Sequence, residues 1–272
     1  MSSLSPATIA SYATFIARLV KLNLLPSPIV MTNELKAHLE SMPNAGTRKA
    51  YLSALLDKLR HAPPEIVKPF RDMFAETRKV TDVSARSQTI SPTRQVLPWP
   101  TLLALREKAK KELPHDDYLL YCLYTLNAPV RADYAGMRVV LRWIDMWKRD
   151  TSTNYLVLNR NKSYFVFNQY KTSKTMGQVI VPTSPALHDV LSVRCRNAEY
   201  VFDGSPQELS KAVIRVFKKL CDKNIGIGIL RHSFITHYLS VPRRLSEKDV
   251  IARAMMHGAS TQELYHLFPE DD

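Results

Sequence analysis

Leu230-Arg231-His232-Ser233-Phe234-Ile235-Thr236-His237 is the stretch on which the reading of this chain turns. It follows Ile225-Gly226-Ile227-Gly228-Ile229, and its spacing predicts a helix over Leu230 to Leu239 with an arginine among apolar residues near its start. A helix N-terminus presents unpaired N–H groups, and a guanidinium is a planar fork of donors, so both suit a phosphate. Taken singly, an arginine paired to its own fold is the other physical reading.

Outward from this stretch, helical spacing recurs on both sides. Downstream it predicts a helix over Ser246 to Met256, then Met256-His257-Gly258-Ala259-Ser260, then a short helix over Thr261 to Leu267 that carries Tyr265, eight residues after His257. Upstream it predicts helices over Thr101 to Leu113, Asp116 to Leu126, Ser184 to Arg194 and Pro206 to Lys223. Between them lie β formers: Asn154 to Leu158 and Ser163 to Asn168 around the turn Asn159-Arg160-Asn161-Lys162, and a third strand over Gln178 to Pro182. The fold class expected is mainly α with a small antiparallel β-sheet.

The first 78 residues carry helix signals and no strand signal. Ser5 with Pro6 opens one helix, and Ile9, Tyr12, Ala13, Ile16, Leu19 and Val20 follow at its period. Thr32 is the expected cap of a second, Thr47 of a third with Tyr51, Leu52, Leu55 and Leu59, and Pro63-Pro64 precede a fourth with Ile66, Phe70, Met73 and Phe74. A four-helix bundle over 1–78 is expected. Periodicity then fades into Thr, Ser, Arg, Gln and Pro, which predicts a basic linker over 79–97 bearing Arg86 and Arg94, with the second domain at 98–272.

Composition narrows the function classes. The chain has 272 residues and a formal net charge of +13, more than solubility needs, which points to a polyanion such as nucleic acid. Residues 1–96 hold 13 Lys and Arg against 7 Asp and Glu, and residues 97–272 hold 25 against 18, so both halves are basic, as two lobes of a DNA clamp would be. The three cysteines, Cys122, Cys195 and Cys221, are odd in number and far apart, which suggests neither a disulfide framework nor a zinc knuckle. No apolar run is long enough to span a bilayer, and the N-terminus lacks the pattern of a secretory signal. A DNA-associated protein of cytoplasm or nucleus, not secreted, is expected.

The arginine stretch resembles the arginine box of the tyrosine recombinases, the integrase class of DNA breaking and rejoining enzymes. Further likenesses stand in the family's order. Leu126-Asn127-Ala128-Pro129-Val130-Arg131-Ala132-Asp133 is similar to the first arginine motif, an arginine at a turn between two helices with an acid shortly after. Tyr170-Lys171-Thr172-Ser173-Lys174 before Val179-Ile180-Val181-Pro182 resembles the lysine turn and its strand, and Met256-His257-Gly258 resembles the histidine box ahead of Tyr265. Gly46-Thr47-Arg48-Lys49-Ala50-Tyr51 looks like part of a DNA-gripping core-binding domain. The resemblance implies Tyr265 as nucleophile, Arg131 and Arg231 as a clamp on the phosphoryl oxygens, His257 as a hydrogen-bonding partner and Lys171 as general acid. Lys174 is the alternative lysine, and His232 and Asp133 are supporting candidates. Arg48, Lys49, Arg86 and Arg94 are candidate DNA contacts.

No metal, other cofactor or ATP is needed in that scheme, because the phosphotyrosine bond conserves the energy of the broken phosphodiester. The partner expected is double-stranded DNA, with the protein monomeric alone and assembling into a dimer or tetramer on it. The family commonly carries a histidine three residues before the second arginine, and here the residue is Gly228. A type IB topoisomerase, and a DNA-binding protein of this fold with impaired catalysis, stay open as alternatives.

Overall fold

The computed structural model describes residues 4–87, 97–142 and 150–258. It divides into two compact units, Met1–Ser87 and Gln88–Asp272. The protein is mainly helical, with one four-stranded sheet.

The first unit holds α1 (Pro6–Lys21), α2 (Asn33–Glu40), α3 (Ala45–Lys58) and α4 (Pro64–Ser87). Ser5 caps α1 by accepting from Thr8 N at 3.2 Å, and Thr32 caps α2 by accepting from Leu35 N at 3.2 Å, as their positions predict. The third cap differs. Asn44, not Thr47, closes the start of α3, its side chain accepting from Thr47 N at 3.0 Å. Asparagine is at least as good a cap as threonine, and Gly46 is tolerated within the first turn. Helix α3 packs on α1, α2 and α4, and Leu19, Leu35, Leu39, Leu52, Leu55 and Phe70 are wholly buried between them. Each such side chain contributes roughly 1.5–3 kcal/mol on burial.

Helix α4 also corrects the linker. It continues through residues 79–87, which the fading periodicity had assigned to a connection. Those nine residues contain neither Gly nor Pro, so nothing in them stops a helix already under way. The rest of the expected linker, 88–96 with Arg94, lies outside the described residues.

The second unit holds α5 (Trp99–Ala104), α6 (Arg106–Glu112), α7 (His115–Thr125), β1 (Arg138–Val140), β2 (Tyr155–Leu158), β3 (Ser163–Phe167), α8 (Ser173–Met176), β4 (Val179–Pro182), α9 (Pro185–Arg194), α10 (Pro206–Cys221), α11 (Ile227–Leu239) and α12 (Leu245–Ala254). Helix α7 is central. Every residue from Leu119 to Thr125 is buried, and α7 meets α6, α9 and α10, which is how a helix apolar on all sides is accommodated. Ser205 and Glu208 form a reciprocal capping box at the start of α10.

The sheet runs β1-β2-β3-β4. Strands β2 and β3 form the expected hairpin, with Leu158 opposite Ser163, and β4 joins β3 antiparallel. Strand β1 was not expected, and it pairs with β2 in parallel, Arg138 with Tyr155 and Val140 with Val157. The sheet is therefore mixed rather than antiparallel. Among the described residues no helix is long and apolar enough to cross a membrane.

Candidate phosphate-binding site

Four chain segments meet around two consecutive backbone carbonyls, those of Met255 and Met256. Helix α12 ends at Ala254, and the chain then turns sharply: Met256 is left-handed, with φ 56°, and is wholly buried. Met256 N donates to Arg253 O at 2.9 Å and His257 N to Ala252 O at 3.0 Å, which closes the helix end. The two carbonyls then point toward the arginines.

Arg231 lies on α11, one turn into the helix, and is only 1% exposed. Its Nη1 donates to Pro129 O at 2.8 Å, and Nη1 and Nη2 both reach Met255 O at 3.4 Å. Arg231 thus joins the loop after α7 to the segment after α12. Arg131 follows in that same loop, half-buried, and donates from Nη1 to Met256 O at 3.4 Å. Its own carbonyl accepts from the buried hydroxyl of Tyr124 at 2.9 Å. The helix expected directly after Arg131 is absent. The chain instead makes a turn, with Ala135 N donating to Ala132 O at 3.2 Å and Gly136 at φ 64°, and runs into β1.

His257 is 2% exposed and lies close enough to both arginines to feel their charge. Burial first, then Arg231 and Arg131, push its pKa down to about 3, so the imidazole is neutral near pH 7. Asp133 lies in the same cluster. Burial raises its pKa, against the opposing pull of Arg131, Arg231 and nearby backbone N–H groups. Its Oδ2 is buried without a hydrogen-bond partner among the described residues. A cavity of about 280 Å³ opens beside His257, lined by Met176, Asp249, Ala252, Arg253 and Gly258 as well.

The lysine turn reaches the same place from the sheet. Lys171 is exposed and stands between β3 and α8, and Lys174 is exposed on α8. Thr172, next to Lys171, donates its hydroxyl to Met256 O at 3.0 Å. His232 is half-buried on α11 beside Arg231. A Cβ placed on Gly228 would meet no atom within 4 Å, so the backbone there leaves room for a side chain.

Sequence reasoning missed three residues that build this site. Tyr124 holds the Arg131 carbonyl. Asn154 is 7% exposed and satisfies four backbone groups: Nδ2 donates to Asp133 O at 3.1 Å and Gln169 O at 3.0 Å, and Oδ1 accepts from Asn168 N at 2.9 Å and Gln169 N at 2.8 Å. It links the arginine loop to the lysine turn. Thr172 is the third. None of the three carried a signal of its own, since Tyr124 shares its helical run with the hydroxyls of Tyr118, Tyr121 and Thr125.

Not every candidate joins the cluster. In the first unit, Arg48 Nη2 donates to Glu40 O at 2.9 Å and Met42 O at 3.1 Å, closing the end of α2, while Lys49 is half-buried on α3. Arg86 lies on α4, its side chain outside what is described. Tyr265 and the helix expected over 261–267 are likewise outside the described residues.

A mainly helical fold with a small mixed sheet thus brings two arginines, a neutral histidine and a neighbouring lysine turn into one cluster. No protein-family model matches the sequence, and no curated protein matches it. Among solved structures, the chain is similar to XerA recombinase, at 11% identity and a TM-score of 0.45 over 98% of this chain and 89% of that one. It is also similar to the protelomerase TelA covalently complexed with substrate DNA, at 12% identity and a TM-score of 0.43 over 99% of this chain and 90% of that one.

Proposed function

We propose that the protein cuts and rejoins DNA strands, with Tyr265 as nucleophile and the cluster around Met255 and Met256 as the phosphate site. The observation that carries this reading is the meeting of Arg131, Arg231 and His257, drawn from loop, helix and helix end, with the Lys171 turn fastened to the same carbonyl by Thr172.

The chemistry divides among them. Attack of the Tyr265 oxygen on phosphorus forms the phosphotyrosyl bond as its hydroxyl proton passes to solvent and the bond to the 5′ oxygen breaks, and Lys171 supplies that leaving oxygen's proton, with Lys174 the alternative donor. Arg131 is half-buried and makes one hydrogen bond to the described residues, to Met256 O, which leaves guanidinium donors for a non-bridging oxygen. Arg231 is buried behind it and bound to carbonyls. Its charge acts on the phosphoryl group through a dry interior, where it is weakly screened. A neutral His257 adds a hydrogen bond to the developing charge without repelling the arginines. Return of a strand's 5′ hydroxyl reverses the sequence. The four-helix unit, with Lys49, and the basic segment beyond α4 would grip the duplex through phosphates.

Gly228 favours a second reading, a DNA-binding protein of this fold that no longer cleaves, because no side chain stands where the family usually has a histidine. One experiment separates the two. Incubated with a pool of nicked duplexes of randomised sequence, the wild-type chain should form a denaturation-resistant protein–DNA adduct and Tyr265→Phe should form none. Equal adduct from both, or none from either while DNA is still bound, would sink the strand-cutting reading.

A further inference from the structure

One backbone oxygen is shared by two parts of the site. The Met256 carbonyl accepts from Arg131 Nη1 at 3.4 Å and from Thr172 Oγ1 at 3.0 Å, and a carbonyl has two lone pairs, so both bonds can stand together. Met256 turns this oxygen inward because its backbone is left-handed, a region that side-chain-bearing residues seldom occupy. Its wholly buried side chain keeps it there.

The Thr172 hydroxyl has one proton to give. It also lies 3.5 Å from Met176 Sδ, but a thioether is a weak acceptor and the carbonyl is nearer. The turn behind Thr172 is one hydrogen-bonded body. Ser173 N donates to Tyr170 O at 3.1 Å, Met176 N to Thr172 O at 3.0 Å and Gly177 N to Ser173 O at 2.8 Å. Whatever fixes Thr172 therefore fixes the backbone from which Lys171 projects. The lysine side chain is a flexible four-carbon stem, so the reach of its ammonium is set by the position of that backbone.

We propose that Thr172 is a positioning residue: its bond to the Met256 carbonyl sets the Lys171 turn against Arg131 and His257, so that one phosphate is met from both sides. The proposal rests on the strand-cutting reading for its purpose, but not for its physical content.

Thr172→Val in the full chain keeps the side-chain shape and removes the hydroxyl, and Thr172→Ser keeps the hydroxyl. Two measurements read the result: hydrogen exchange across 168–178 and 250–258, and the rate of adduct formation on the nicked duplex pool. One net hydrogen bond corresponds to about a tenfold effect. Thr172→Val should exchange about tenfold faster at the turn amides and form adduct about tenfold more slowly, with duplex affinity within about twofold of wild type. Thr172→Ser should restore both. Unchanged exchange in Thr172→Val overturns the proposal, as does an adduct rate equal to wild type, or a loss that serine fails to rescue. If the wild-type chain itself makes no adduct, the strand-cutting reading fails, and the exchange data alone decide whether Thr172 ties the turn.

Discussion

His257 shows how strongly a residue's surroundings can set its charge. Its pKa in the folded chain is lowered to about 3 by burial, Arg231 and Arg131, while an unfolded histidine titrates near 6.5. As pH falls from about 6.5 toward 3, the unfolded chain takes up a proton that the folded chain refuses, so stability falls. Asp133 works in the other sense. Its raised pKa makes the folded carboxyl take up a proton before the unfolded one, which adds stability as pH falls. Comparison with His257→Asn isolates the imidazole. Between pH 7 and pH 5, the wild type should lose about 2 kcal/mol relative to that variant in urea unfolding. A constant difference would show that the imidazole takes up its proton normally in the folded chain. At this scale the charged members of the site were legible, because Arg131, Arg231 and His257 are chemical types that announce themselves in a string. Tyr124, Asn154 and Thr172 were not, because each acts on a backbone group beyond its own helix or turn and any polar residue would look the same in sequence.

Among the elements, legibility followed length and locality. Helices α1, α7, α9 and α10 are marked by their own period and punctuation, and the β2–β3 hairpin by its turn. Strand β1 has three residues, too few to show alternation, and its partner β2 begins only at Tyr155. The single helix expected over 101–113 is broken at Leu105 into α5 and α6, an interruption with neither Gly nor Pro to mark it. Asn154 belongs to this scale because it binds elements together. Replaced by alanine, it leaves the Asp133 and Gln169 carbonyls and the Asn168 and Gln169 N–H groups without their partner. The expected loss is about 3 kcal/mol of stability, seen as a lower urea midpoint. A loss under about 0.5 kcal/mol, the size of an ordinary surface substitution, would mean that water replaces the amide.

For the whole molecule, charge is the property with the widest reach. A net +13 shared between both halves implies that duplex binding, as proposed here, releases many counterions. The affinity should fall by about a hundredfold or more between roughly 50 and 200 mM salt. A response flatter than about tenfold in filter binding or fluorescence anisotropy would argue against phosphate contacts from both units.

The sheet has a further effect on how copies of the chain behave in solution. The outer side of β1 is already taken, since Val139 N donates to Glu199 O at 2.9 Å and Val201 N to Met137 O at 2.9 Å. At the opposite border β4 has four residues, ends in Pro182 and has α12 beside it. Among the described residues, neither border offers a long row of idle N–H and C=O groups, the template on which strands of separate molecules zip into aggregates. If many copies gather on DNA, as proposed, these borders of the sheet give them no strand edge to share.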